Sequence, residues 1–256
     1  MSRNGSDKNT NHDSRITIHE VKRAMVLAAG LGTRLRPLTY KIPKPLLPLD
    51  SKKLIDYPLF YLAKNGVEEV MINLHHLGEM ISEYVGDGSR YNLEITYSFE
   101  PEILGTGGGI KNVEGFFKGE PFVCLNSDSL LNASLDALIN RHFETDASAT
   151  MAVKKLGLND PYEGVGVEKG FVKNIGGGGE YFYTGLQIIG ADLLKILPPA
   201  GAASCLIKDG YQKLLAGGKR VAAFVYDGYF NDLGTPDRYE RAKKDIAGRV
   251  YRPVIS

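Results

Sequence analysis

The sequence predicts an α/β protein: a largely parallel sheet with helices on both faces, followed by a β-rich half that closes over it. Three observations carry this. Over residues 21–146, short apolar runs alternate with segments of helical period, the pattern of strands joined by crossover helices. Over residues 149–190, strand-like runs follow one another with little helix between them, which predicts antiparallel ribbons. The chain of 256 residues is 43% hydrophobic, enough for one large domain with a real core, and it has no internal repeat.

Each element follows in order. Residues 1–20 are polar, rich in Asn, Ser, Asp and Lys, and lack the apolar middle of a signal peptide. They are expected to form a disordered leader, natural or introduced by cloning, ahead of a single domain over 21–256. AMVLAA (24–29) is a short apolar run and predicts a strand. LIDYPLFYLAKNGV (54–67) carries apolar residues at helical spacing and stops at Gly66. EVMINL (69–74) predicts a strand and LGEMISEYVGDG (77–88) a helix ended by glycine. LEITYSF (93–99) alternates as a strand, and GGGIKNVEGFF (107–117) starts a helix at its glycines. PFVCLN (121–126) predicts a buried strand, then SLDALINRHFETD (134–146) a helix with Ser134 as N-cap.

In the second half ATMAVKK, GVGVEKG, FVKNIGG and YFYTGLQIIG predict strands. The IGGGGEY stretch is too short for an interdomain linker and is expected as a flexible loop. Helices return at ADLLKILP, IKDGYQKLLAGG and PDRYERAKKDIAG, the last with Thr235 as N-cap and Pro236 at the first helical position. Between the last two, RVAAFVYDGYFNDLGT predicts one or two strands.

Lys and Arg number 31 against 30 Asp and Glu, a net charge of +1. That balance argues against a protein that coats nucleic acid or an anionic membrane. Any anion must be bound by locally concentrated cations. No apolar run reaches transmembrane length. The two cysteines, Cys124 and Cys205, lie far apart in apolar surroundings and predict reduced core thiols in a cytoplasmic protein.

The chemistry gathers first in LAAGLGTRLRPLT, from Leu27 to Thr39. A Gly-x-Gly after a strand is a weak signal alone. The dinucleotide fingerprint needs a third glycine where Leu35 stands, and Pro37 would break a long helix starting at Gly30. The phosphate loop G-x-x-x-x-G-K-[ST] is absent as well. The small residues Ala28, Ala29, Gly30 and Gly32 instead let backbone N–H groups approach a polyphosphate closely. Arg34 follows within reach of the same phosphates. Lys44 is flanked by Pro43 and Pro45, which fix the chain on both sides. A cation held in advance stabilises a transition state without reorganising.

With PKPLLPL, NLHHLGEMI, LGTGGGI, LNSD, FYTGLQI and FNDLGTPDRYERA, this loop resembles the signature of the sugar-1-phosphate nucleotidyltransferases. The resemblance spans residues 21 to about 247. The wording is especially similar to N-acetylmuramate 1-phosphate uridylyltransferases and to short mannose-1-phosphate guanylyltransferase-like proteins. The family implies a Rossmann-like mixed α/β fold and transfer of a nucleotidyl group from a nucleoside triphosphate to a sugar 1-phosphate.

The resemblance also implies roles. Arg34 and Lys44 become catalytic cations. Leu27, Ala28, Ala29, Gly30, Gly32 and Thr33 become the phosphate loop. Glu100, Gly105, Thr106 and Gly107 fall to the base. Glu100 is able to accept from a base N–H, which uracil and guanine both have. Gly105–Gly109 is able to lie flat on a ring or to open a helix toward the nucleotide. Asn73, Asn126, Gly164, Thr184 and Gly185 fall to the sugar, and His75–His76 follows the same strand as Asn73. Asp128, just past a buried strand, and Asp232, just before a helix, become the ligands of Mg²⁺, a hard cation held by one or two carboxylates plus phosphates. Many members carry a Glu-Lys-Pro triplet whose lysine holds the sugar phosphate. This chain reads IGGGGEY there, and the uridylyltransferase-like branch is similar in lacking the triplet.

The expected reaction gives an NDP-sugar and pyrophosphate, with UTP and N-acetylmuramate 1-phosphate as first choice. Mannose-1-phosphate guanylyltransferase, phosphocholine cytidylyltransferase and a non-catalytic nucleotide-binding paralogue stand as alternatives. The phosphocholine reading needs an aromatic or acidic box for a quaternary ammonium, and none is evident among the 14 Tyr with no Trp. A regulatory paralogue is expected to lose Arg34 or a metal aspartate, yet Arg34, Lys44, Asp128 and Asp232 are all present. The expected partners are the two substrates, without nucleic acid or membrane; the oligomeric state stays open. A chain ending at Ser256 is not expected to carry the left-handed β-helix domain of longer relatives.

Overall fold

The computed structural model describes residues 19–253. The expected leader, except for His19 and Glu20, lies outside the described residues.

The strands are β1 (Arg23–Leu27), β2 (Pro48–Leu49), β3 (Lys52–Lys53), β4 (Glu69–Leu74), β5 (Glu94–Phe99), β6 (Phe122–Asn126), β7 (Ser129–Leu131), β8 (Ala149–Lys155), β9 (Val165–Glu168), β10 (Phe171–Ile175), β11 (Tyr181–Ile189), β12 (Val221–Val225) and β13 (Phe230–Asp232). The helices are α1 (Asp56–Lys64), α2 (Gly78–Val85), α3 (Gly105–Asn112), α4 (Leu135–Glu144), α5 (Ala191–Ile196), α6 (Gln212–Ala216) and α7 (Pro236–Ala247).

Nine strands form one twisted sheet in the order β5-β4-β1-β6-β11-β8-β12-β10-β9. From β5 to β6 every pairing is parallel. β11 then runs antiparallel between β6 and β8. The expected ribbons are present at β9–β10 and β10–β12, but β8 and β12 pair in parallel. The 65-residue excursion through β9–β11, α5 and α6 brings the chain back beside β8 in the same direction. β7 and the β2–β3 hairpin are too short to leave a periodic signal, and sequence reading missed them.

Strand alternation decides what packs where. Ala24, Val26, Val123 and Leu125 face α1, α2 and α4; Met25, Phe122 and Cys124 face α3, α5 and α6. A third cluster, from Leu35, Leu47 and Leu49 to Leu233, Tyr239 and Ala242, seats α7 beneath the basic loop. Ser134 Oγ accepts from the Ala137 amide at 3.2 Å, as its N-cap role requires. Residues Leu206–Tyr211 form a π-helical turn that leads into α6 where sequence reading placed one plain helix. Asp209 there accepts from the Cys205 amide at 2.9 Å, which tightens the entry. Cys124 and Cys205 are both free thiols, and burial pushes Cys124 up to about 12.

Candidate functional site

The site lies at the C-terminal ends of β1 and β6. There the chain leaves β1 toward β4 on one side, while β6 joins on the other. Open α/β sheets bind ligands at this switch point. A cleft of about 430 Å³ opens there.

Its rim is the loop after β1. Gly32 has φ +62°. A Cβ on it would lie 3.0 Å from Thr39 Cγ2 and 3.2 Å from Lys44 Cβ, so both backbone and space demand glycine. Thr39 Oγ1 donates to the Gly32 carbonyl at 2.8 Å and fixes the turn. Thr33–Leu35 and Lys44–Leu46 are single 3₁₀ turns, not a helix, as the prolines dictate. The second turn is closed by Leu46 N–Pro43 O at 2.8 Å.

Behind the loop runs a buried relay. The Ala28 amide donates to Asn73 Oδ1 at 3.0 Å, Asn73 Nδ2 donates to Glu100 Oε1 at 2.8 Å, and the Leu104 amide donates to Glu100 Oε2 at 2.9 Å. A Cβ on Gly109 would lie 2.7 Å from both Asn73 Nδ2 and Glu100 Oε1. The relay therefore ties the phosphate loop to the start of α3.

Asp128 and Asp232 are brought together by the small β7–β13 ribbon. Asp232 stands opposite Ser129, and the Leu233 amide donates to the Asp128 carbonyl at 3.1 Å. Each carboxylate is neutralised from another element: Lys44 pairs with Asp128, and Arg238 pairs with Asp232. Burial, reinforced by the Asp232 carboxylate, pushes the neighbouring Tyr162 phenol up to about 12, so it is neutral at pH 7. Arg34 comes in from the facing loop. A Cβ on Gly234 would lie 3.1 to 3.2 Å from its guanidinium.

The donor set fits Mg²⁺. Two hard carboxylates stand on neighbouring stretches of backbone, and no group of three or more His, Cys, Asp or Glu among the described residues completes a protein cage. Mg²⁺ keeps waters and substrate phosphates in its shell and needs only one or two carboxylates.

Of the residues singled out from sequence, Leu27, Ala28, Ala29, Gly30, Gly32, Thr33, Arg34 and Lys44 line the cleft. So do Asn73, Gly105, Thr106, Asn126 and Asp128. Asp232 adjoins it through the ribbon. Other candidates stand elsewhere. Glu100 is buried, with both carboxylate oxygens engaged as above; it braces the wall and does not face a base. Gly107 turns away, its missing Cβ filled by Ser204 Oγ at 2.7 Å. The Gly107 and Gly108 amides donate to the Ser204 carbonyl at 3.0 and 3.4 Å, so those donors of α3 are not aimed at a nucleotide.

Thr184 is buried and donates to the Ala152 carbonyl at 2.9 Å. Gly185, with φ +85°, leaves the space that Asn126 Nδ2 fills, 2.5 Å from where its Cβ would stand. Together they sit where the β11–β8 register shifts, between Tyr183 and Gln187. Gly164 packs on the Gly178–Gly179 backbone. His75 Nδ1 bonds the Glu100 carbonyl at 2.8 Å and supports the relay.

Sequence reading missed Ser127, Ile103 and Gly234 in the lining, and Arg238 and Tyr162 beside Asp232. Gly234 and Arg238 stood within the FNDLGTPDRYERA motif; their position two and six residues after Asp232 was the available signal.

The nucleotidyl transferase family model matches residues 23–249. A D-glycero-alpha-D-manno-heptose 1-phosphate guanylyltransferase of Aneurinibacillus thermoaerophilus is 33% identical over 235 residues, covering 87% of this chain and 97% of that one. An N-acetylmuramate alpha-1-phosphate uridylyltransferase of Neisseria meningitidis serogroup B is 44% identical over 116 residues, 45% of this chain and 50% of that one. Some relatives are longer: the chain spans 65% of a UTP–glucose-1-phosphate uridylyltransferase of Synechocystis sp., with 31% identity. Among solved structures, HddC from Yersinia pseudotuberculosis superposes with a TM-score of 0.77 at 23% identity, covering 88% and 100% of the two chains, and HddC complexed with GMP-PN with a TM-score of 0.76 at 24% identity and the same coverage. That likeness carries the fold alone.

Proposed function

The chain belongs to the nucleotidyl transferase family, and from that premise we propose that it transfers a nucleotidyl group from an NTP to a sugar 1-phosphate, releasing pyrophosphate. One observation carries the reading: the Ala28–Arg34 loop, Lys44 and Asp128 converge on one cleft at the switch point of the sheet.

The triphosphate lies along the loop after β1, where backbone N–H groups and small side chains allow close approach. The base end of the cleft is Gly105 and Thr106, which expose little side chain. The sugar phosphate enters from the Asn126 and Asp232 side. Its oxygen is anionic at pH 7 and attacks the α-phosphorus in line, with pyrophosphate leaving opposite; no general base is needed. Two anions have to meet, so the work is electrostatic. Arg34 and Lys44 offset charge on the phosphates in positions fixed beforehand by Gly234 and by Pro43 and Pro45. Asp128 and Asp232 would hold Mg²⁺, which when bound supplies a further counter-charge to the phosphates. Lys44, paired with Asp128 in this structure, would be free to turn to the phosphates once that carboxylate held the metal.

UTP with N-acetylmuramate 1-phosphate is the favoured pair, supported by the 44% identical segment shared with the Neisseria enzyme. GTP with a manno-configured sugar 1-phosphate is the second reading, supported by the heptose guanylyltransferase relative. Pyrophosphate release is measured for four NTPs against N-acetylmuramate, mannose, heptose and glucose 1-phosphates and phosphocholine. The favoured pair is expected to exceed every other by about tenfold in kcat/KM, the scale of one good polar contact. Fastest turnover with GTP transfers the assignment to the second reading, and no release with any pair sinks both.

A further inference from the structure

Arg238 holds a position that the cleft lining does not explain. It is the third residue of α7, and its backbone is pinned at both ends: the amide by Thr235 Oγ1 at 3.5 Å, the carbonyl by Asn231 Nδ2 at 3.0 Å. Its side chain is anchored on the Asp232 carboxylate. The guanidinium carbon lies 4.9 Å from the centroid of the Tyr162 ring. Tyr162 stacks on Phe182 at 4.2 Å, and Phe230 lies 6.0 and 5.4 Å from the two rings. The pair is not sealed in: Arg238 is 20% and Asp232 21% exposed.

We infer that Arg238 is an exchangeable counter-ion, which neutralises Asp232 until a divalent cation takes that carboxylate and then turns to the phosphate of the sugar 1-phosphate. The inference rests on the reading above, in which Asp232 holds the metal. Its physical basis is competition. A guanidinium and a divalent ion on one carboxylate weaken each other's hold, because the two cations repel one another. The displaced guanidinium keeps its place on the Tyr162 face, where a cation is held without a carboxylate. Its planar fork matches phosphate oxygens in a bidentate fashion. The anion that must come to this spot is the nucleophile itself, since Asp232 stands opposite Ser129, the residue after Asp128. Arg238 thus supplies the cation that the IGGGGEY loop does not, and it becomes available only once the metal is in place. Metal binding and sugar-phosphate binding are linked through a single side chain.

The first measurement needs no turnover. Mn²⁺ alone, followed by electron paramagnetic resonance of the free ion, is titrated into nucleotide-free wild type, Arg238→Gln, Arg238→Lys and the Asp232→Asn/Arg238→Gln double variant. Arg238→Gln is expected to bind Mn²⁺ about two- to fivefold tighter than wild type, the range of a partly exposed ion pair. Arg238→Lys is expected between them, and the double variant to lose the gain. Unchanged or weaker Mn²⁺ binding in a natively folded Arg238→Gln, judged by circular dichroism and melting, overturns the inference. In turnover, Arg238→Gln is expected to raise KM for the sugar 1-phosphate about tenfold or more while KM for the NTP stays within about twofold. An equal rise in both overturns the phosphate-binding half. If wild type turns over no NTP–sugar pair, the functional reading falls with that half, whereas the Mn²⁺ titration still decides the competition.

Discussion

The Arg34 guanidinium fills the space where a side chain on Gly234 would stand. Its partner in charge, Lys44, is 12% exposed and tied to Asp128. The two cations thus differ: Arg34 is set by shape, Lys44 by a carboxylate it has to leave. Arg34→Ala is expected to lower kcat about a hundredfold or more, with the melting temperature unchanged, because a preorganised charge acts on the transition state and not on the fold. Normal turnover in Arg34→Ala would remove it from the chemistry. The loop after β1 was legible as a tight, cleft-lining turn residue by residue, since glycine and proline constrain the backbone locally. Glu100 was not. Its carboxylate looks free in sequence, yet the β4–β5 register sets Asn73 against Ser98 and brings the Asn73 amide to it. Partners fixed by register leave no trace in spacing.

At the scale of elements, α7 begins just after the β7–β13 ribbon ends. Thr235 Oγ1 caps it, Pro236 occupies the first helical position, and Tyr239 and Ala242 seat it in the third core cluster. Thr235→Ala removes the only side-chain cap of this helix and is expected to destabilise the protein by about 1 kcal/mol, read as a lower urea midpoint at unchanged slope. A loss below about 0.3 kcal/mol would mean that the packing of Tyr239 alone fixes the helix start. The helices and long strands were readable because period and caps are local signals. The pairing that brings Asp128 and Asp232 together was not: β13 fell within a stretch expected to hold one or two strands, but β7 was missed, and the two gain their order from each other across about a hundred residues of chain. The Thr184–Gly185 pair misled for a related reason. A threonine and a glycine in a strand look like ligand contacts, but here they serve a shift in register.

For the whole molecule, His142 couples stability to pH. It lies on the buried face of α4 with Nδ1 3.0 Å from Thr150 Oγ1 of β8, and burial lowers its pKa from 6.5 to about 4. Above pH 6.5 the ring is neutral in both folded and unfolded chains, and its contribution is fully present. As pH falls from about 6.5 to about 4 the unfolded chain takes up the proton first, so stability is lost across that window, by up to about 3 kcal/mol. In His142→Gln, urea midpoints between pH 8 and 4 are expected to decline less than in wild type; parallel curves would refute this. The order of the nine strands was not legible, because β8 and β12 meet only after a long excursion. That order has a mechanical result. Hydrogen bonds run without a gap from β5 to β9. The two halves therefore share one keel, with no break in the ladder between them.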